Sequence, residues 1–155
     1  MKQLFLSTYE NKVDKKGRVS VPSAYRNVLA EQSFPGVVAY RSYANEAIEC
    51  CGMDRMEKLS ENIDELDWFS EEQDDLATII FADAHQLAFD PEGRIQLPQI
   101  LMDHAGITDR ASFVGKGKTF QIWDPARFAA YQEAARERAR KQGRTLPGGK
   151  GEAEK

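Results

Sequence analysis

Few side chains in this 155-residue chain are placed to do chemistry. His85 and His104 are the only histidines, and neither stands in a metal-ligand spacing such as H-x-x-x-H. Cys50 and Cys51 are adjacent, and the alternation in Ile48-Glu49-Cys50-Cys51 turns one thiol inward as a small hydrophobe. The carboxylates Glu71, Glu72, Asp74 and Asp75 fall at the start of a helix, where the dipole favours negative charge, so they read as helix chemistry and not as a cation site. Gly115-Lys116-Gly117-Lys118-Thr119 imitates the end of a phosphate-binding loop. The required glycine five residues before Gly117 is Ser112, and the segment runs into a strand-like Phe-Gln-Ile-Trp, so a hairpin is expected. No G-x-S-x-G elbow occurs. Asp14 with Arg18, and Asp90 with Arg94, could pass for acid/base pairs, but arginine stays charged and carries protons poorly. These residues point to ion pairs or anion contacts, and the chain is read as a non-enzyme with no cofactor and no metal.

What remains is a concentration of positive charge. Asp14-Lys15-Lys16-Gly17-Arg18 places Lys15, Lys16 and Arg18 on one turn tip, with Lys12 on the strand before it and Arg26 on the helix after it. A two-stranded ribbon fits the major groove of double-stranded DNA, where such residues grip phosphates or present guanidinium forks to guanine. The related segment Asp90-Pro91-Glu92-Gly93-Arg94 keeps only Arg94 and adds Glu92. Asp14, Gly17, Asp90, Gly93 and Arg94 are therefore read as the structural part of the motif. The first loop is read as the DNA contact and the second as more structural.

The elements that position these loops come as a repeat. Residues 13–22 and 89–98 match at an offset of 76: Asp14 with Asp90, Gly17 with Gly93, Arg18 with Arg94, Pro22 with Pro98, and Val19 and Val21 with Ile95 and Leu97. At the same offset Val37 and Val38 fall on Phe113 and Val114. With four residues lost thereafter, Ile48, Cys50, Arg55 and Met56 fall on Phe120, Ile122, Arg127 and Phe128. Each unit reads as an extended segment (Leu4 to Val13, or His85 to Phe89), a hairpin loop closed by a left-handed glycine, and a short alternating strand. A proline-started helix follows, about Ser23 to Glu31 or Gln99 to Ala105, the latter stopped by Gly106. Two further strands follow in each unit, near Val37–Tyr40 with Ala47–Cys51 and near Ser112–Gly115 with Thr119–Trp123. Asp124-Pro125 opens a last helix through Phe128 and Tyr131. Between the units, Met56, Leu59 and Ile63 keep helical spacing, and Ser70 with Gln73 forms a capping-box pattern. The expected organisation is unit one at 8–55, an acidic helical linker at 56–83, unit two at 84–127, and a C-terminal helix with a disordered tail at 128–155.

The net charge of −4 conceals a strong asymmetry. Residues 1–45 carry seven basic and three acidic side chains, residues 46–92 two and fifteen, and residues 93–155 twelve and seven. A basic head and end around an acidic middle suits an anionic partner better than the total suggests. No apolar run approaches the roughly 20 residues of a membrane helix. The N-terminus lacks a secretory h-region, and two adjacent cysteines make no disulfide framework, so a soluble, reducing cytoplasmic setting is expected.

The doubled D-x-x-x-R motif, with Val19-Ser-Val-Pro-Ser-Ala-Tyr-Arg26, His104-Ala-Gly-Ile-Thr108, Phe113-Val-Gly-Lys116 and Phe120-Gln-Ile-Trp-Asp124, resembles the MraZ family of bacterial transcriptional regulators, built from two tandem SpoVT–AbrB units. The resemblance runs from about Leu4 to Tyr131. It implies an α+β fold in which two swapped-hairpin units interlock into one pseudo-twofold, β-barrel-like core, with short helices and a helical linker. It also implies a ring-shaped homo-oligomer, associated with the nucleoid. Such a protein binds short direct repeats upstream of the division and cell-wall gene cluster and acts mainly as a repressor of that cluster, its own gene included. Carried over by position, the contact falls to Arg18 first, then Lys15 and Lys16, with Lys12 and Arg26 as companions. The linker departs from the family, reading E-E-Q-D-D-L-A-T-I-I-F-A-D-A where arginines before a Gly-Ala pair are usual, and Asp83 stands where glycine is common. The alternative is an AbrB-like protein-interaction module of the antitoxin kind. Such modules carry a long acidic or apolar extension, whereas this C-terminal tail is short, basic first and then glycine-rich. No membrane and no small-molecule substrate is implied.

Overall fold

The computed structural model describes residues 3–147, and the end of the expected tail, 148–155, lies outside the described residues. The elements run β1 (Thr8–Lys12), β2 (Arg18–Ser20), α1 (Ser23–Leu29), β3 (Gly36–Arg41), β4 (Ile48–Cys51), α2 (Met53–Asp64), α3 (Glu71–Ile80), β5 (His85–Ala88), β6 (Arg94–Gln96), α4 (Gln99–Ala105), β7 (Arg110–Gly115), β8 (Phe120–Trp123) and α5 (Pro125–Lys141). The fold is α+β. Its contacts divide into a unit ending at Pro125 and a second beginning at Ala126, which holds nearly all of α5.

Local chemistry sets most element ends. Pro22 and Pro98 stop β2 and β6 and stand immediately before α1 and α4 as their N-caps. Gly106 takes a left-handed φ of 67° after α4, and Ile107 N–H then reaches the Met102 carbonyl at 3.0 Å. Ser70 Oγ accepts from Gln73 N–H at 3.1 Å to start α3. The residues 116–119 close the β7–β8 hairpin, with Lys116 N–H on the Thr119 carbonyl at 2.9 Å and Gly117 at φ 90°.

Neither repeat completes its own sheet. The larger sheet has the order β1-β7-β8-β4-β3-β5 and is antiparallel throughout. Strand β1 of the first repeat lies against β7 of the second, with Tyr9 opposite Phe113, and β5 of the second lies against β3 of the first, with Leu87 opposite Val37. Strands β2 and β6 pair with each other as a separate ribbon, where Val19 faces Ile95, its own repeat equivalent. The barrel-like closure expected from the resemblance does not form: β1 and β5 end the six-stranded sheet, and β2 and β6 use their hydrogen bonds on one another. One core lies beneath both sheets. It joins Val13, Val19 and Val21 to Ile95, Leu97 and Leu101 and to the aromatic rings of Phe5, Tyr25, Phe113 and Phe120.

Two sequence expectations are corrected by the register. Val38 faces Cys51 in the first repeat as Ser112 faces Trp123 in the second, so Val38 corresponds to Ser112, and Val37 and Val38 do not correspond to Phe113 and Val114. The cause is the loops: six residues join α1 to β3 but four join α4 to β7, and six join β3 to β4 but four join β7 to β8. The four lost residues leave in two pairs. The second correction concerns the thiols, because both are buried, on opposite faces of β4. Cys50 enters the main core, while Cys51 joins Val38, Met56 and Leu59 in a smaller cluster beneath the linker helices. Burial raises both thiol pKa values, that of Cys51 to about 12.

Candidate nucleic-acid interface

The two D-x-x-x-R loops match bond for bond. In the first, Asp14 N–H donates to the Arg18 carbonyl at 3.0 Å and Gly17 N–H to the Asp14 carbonyl at 3.0 Å. Asp14 Oδ1 accepts from the N–H groups of Lys16 and Arg18, both at 2.9 Å, and Asp14 Oδ2 pairs with Arg18 Nε at 2.6 Å. In the second, Asp90 repeats each contact: the backbone bonds at 2.9 and 3.0 Å, Oδ1 to the N–H groups of Glu92 and Arg94 at 2.9 Å, and Oδ2 to Arg94 Nε at 2.8 Å. Gly17 and Gly93 hold φ at 83° and 76°, as the tight closure requires. Both carboxylates are held below their ordinary pKa, first by the backbone N–H of the arginine four residues on and then by its guanidinium.

Such close identity separates framework from cargo. Aspartate, glycine and arginine build the turn in both copies. Only the two tip residues differ, Lys15-Lys16 against Pro91-Glu92, and all four are exposed. Arg18 is half-buried and already engaged by Asp14, so it belongs to the framework as well as to the basic surface. Glu92 lies 3.6 Å from Arg94 and offsets the second loop's remaining cation.

The loops sit at opposite ends of the β2–β6 ribbon. Leu97 N–H donates to the Gly17 carbonyl at 2.9 Å, and Val21 N–H donates to the Gly93 carbonyl at 3.2 Å, so each tip rests on the other repeat. Gln96 Nε2 also donates to the Lys16 carbonyl at 2.9 Å, and Asn11 Nδ2 to the Ser20 carbonyl at 2.8 Å. Neither brace is legible from a local pattern, because each partner is known only after the strands have been paired.

The structure divides the predicted basic group. Lys12, Lys15 and Lys16 are exposed on β1 and its loop, with the half-buried Arg18 beside them. Arg26 does not join them: its side chain lies over Gly93 of the second loop, where an added Cβ would strike the guanidinium. Its repeat equivalent, Met102, takes the same place over Gly17, with Sδ 3.4 Å from the position of an added Cβ. Helices α1 and α4 therefore each cap the opposite repeat's loop, one with a cation and one with a thioether. Sequence spacing suggested proximity along the chain, and the crossing of the ribbon reversed it. One neighbour was missed. Arg110 faces Lys12 across β1–β7 and pairs with Glu10.

Among the described residues no group of three or more His, Cys, Asp or Glu side chains could hold a metal ion, and no helix is long and apolar enough to cross a membrane. His104 Nε2 lies 3.0 Å from the Asn45 carbonyl.

The geometry has counterparts among known proteins. A family described as "MraZ protein, putative antitoxin-like" matches residues 4–75 and 80–146, one match per repeat. This chain belongs to the MraZ family. Proteins called transcriptional regulator MraZ from Rickettsia canadensis and Rickettsia rickettsii are 53% and 54% identical over 143 residues, covering 92% of this chain and 96% of each relative. The counterpart from Rickettsia bellii is 51% identical over 144 residues. The doubled loop therefore occurs in an MraZ chain of nearly full relative length.

Proposed function

We propose that this chain is a sequence-specific, DNA-binding transcriptional regulator that presents its first loop to the groove of promoter DNA. The observation that carries this reading is the pair of matched loops. The same turn is built twice, but lysines are carried on one tip only, so the lysines at Lys15 and Lys16 are not explained by the turn's own stability. The names of the relatives support regulation of transcription. On this reading Lys15, Lys16 and Lys12 supply phosphate contacts and Arg18 a guanidinium fork held in aim by Asp14. Arg26 acts at the second loop. Unit one (8–55), linker (56–83) and unit two (84–127) act as one body, the exchange of β1 and β5 between repeats being the swapped-hairpin arrangement.

The finer proposal is that the protein acts mainly as a repressor of the division and cell-wall gene cluster, its own gene included. It binds short direct repeats as a ring-shaped homo-oligomer in the nucleoid-associated cytoplasm. Assembly suits the chemistry, because a few phosphate contacts per protomer bind weakly and tethering multiplies them. The test is a gel-shift titration on the region upstream of its own operon at two salt concentrations. Replacing Lys15 and Lys16 with alanine should lower affinity and reduce the log–log salt slope by about 2 per engaged protomer. An unchanged slope would remove the loop from the interface.

The family's antitoxin-like description favours a second reading, a module that sequesters a small protein partner. Stoichiometric recovery of such a partner, with no promoter binding, would put that reading first.

A further inference from the structure

We propose that the α2–α3 hairpin is a docking surface for the basic C-terminal helix α5 of a second copy of this chain. This rests on the assembly reading above and names the surfaces that would make it. Three independent observations converge on the hairpin. The first is Phe69, which holds φ at 64° with its side chain 99% exposed, beside Trp68 at 71%. A phenylalanine in the left-handed region carries a backbone cost, and an exposed ring gains nothing within one chain to offset it. The second is α3. Its Leu76, Ala77, Ile79 and Ile80 are only half-buried, with Ile80 packing on the Cys51 cluster, so the helix keeps apolar surface open to solvent. Between it and α2 runs a groove of about 830 Å³ of mixed lining, apolar at Ile63, Trp68, Phe69, Ala77 and Phe81 and acidic at Asp64, Glu71 and Asp74. Adjacent exposed aromatics on a groove with an acidic edge are what a binding surface leaves uncovered in the single chain.

The third observation selects the occupant. Residues 53–83 carry eleven acidic and two basic side chains, whereas residues 126–144 carry six basic and two acidic. Helix α5 is slim, with alanine at 129, 130, 134, 135 and 139, so its backbone can approach a groove closely. Arginine and lysine stems can lie along apolar walls while their heads reach the carboxylates at the rim. A second α2–α3 hairpin would bring like charge against like charge, which opposes an isologous contact. Opposite surfaces on one chain make a head-to-tail contact, which closes into a ring when the rotation per protomer allows it.

The experiment is analytical ultracentrifugation of the full chain across a dilution series, with thermal melting of each variant as a control. Phe69→Gly relieves the backbone and should melt no lower than the parent while raising the dissociation constant about tenfold or more. Asp64→Lys with Asp74→Lys, and separately Arg136→Glu with Lys141→Glu, should each weaken assembly by about tenfold. The four changes combined should restore it to within about threefold of the parent. If the acidic and aromatic variants weaken assembly but the α5 variant does not, the hairpin meets another surface and the proposed occupant is wrong. If charge reversal alters melting but not assembly, α5 docks within its own chain and the proposal fails. If the parent assembles and every variant assembles equally, the docking surface is elsewhere. A parent that stays monomeric at all concentrations would instead overturn the assembly reading itself.

Discussion

Arg18 and Arg94 make the same bond to an aspartate four residues earlier, so comparing their alanine variants separates turn-building from DNA contact. Arg18→Ala and Arg94→Ala should lower the melting temperature by similar, small amounts, since both ion pairs are half-exposed and screened by solvent. Only Arg18→Ala should lower promoter affinity by about tenfold or more, the scale of a lost guanidinium fork. Equal affinity losses in the two variants would mean that turn geometry, and not the side chain, is read. The aspartates give a matching pH prediction. Asp14 and Asp90 are both held below the ordinary aspartate pKa in the folded chain, first by the arginine backbone N–H and then by its guanidinium. Their contribution is fully present above that ordinary value and is lost as pH falls through the lowered folded values. Melting temperature should therefore fall with acidification below about pH 4, and Asp14→Asn with Asp90→Asn should flatten that limb of the profile.

At the scale of elements, the loops differ in what can yield. A Cβ on Gly17 would stand 2.8 Å from the Leu97 carbonyl, a backbone atom fixed in the β6–α4 junction. A Cβ on Gly93 would meet the Arg26 side chain, which can swing away. Both positions also carry left-handed strain. Gly17→Ala should cost about 2–3 kcal/mol and Gly93→Ala about 1–2 kcal/mol in urea denaturation. The reverse order would show that Arg26 is held more rigidly than its stem suggests. Legibility divides at this same level. Hairpin loops, the glycine stop after α4, the Ser70 cap and the start of α5 depend on neighbours within a few residues, and the sequence displayed them. The placement of Arg26 over the second loop, both buried thiols and the two-residue shift of β3 against β7 depend on strand pairings between distant segments. Hydrophobic periodicity marks which face of a strand is buried, but it does not say which strand lies alongside.

Taken whole, the molecule cannot be halved. Strand β1 finds its partner about a hundred positions later, and β5 reaches back to β3. A fragment of residues 1–83 should show neither the dispersed amide spectrum nor the cooperative melting of the full chain, because β1 and β2 are left without partners. Mixing it with residues 84–147 should recover both signals. A fragment that folded alone would contradict the interdependence drawn from the register. Contacts this distant in sequence also favour slow folding relative to helical proteins of the same size.

Two identical units joined about a twofold would have to carry the same loop at both ends of their ribbon, and a symmetric reader fits a palindrome. Here the joining of two unequal units in one chain leaves lysines at one end and a proline and a glutamate at the other. The ribbon thereby gains a heading. On the proposed DNA-binding reading, such a molecule has a front and a back, and successive copies facing the same way would match sites written in one direction. An inverted pair of sites would turn every second copy around. On that reading a difference of two residues at a turn tip would become a rule about the grammar of the operator.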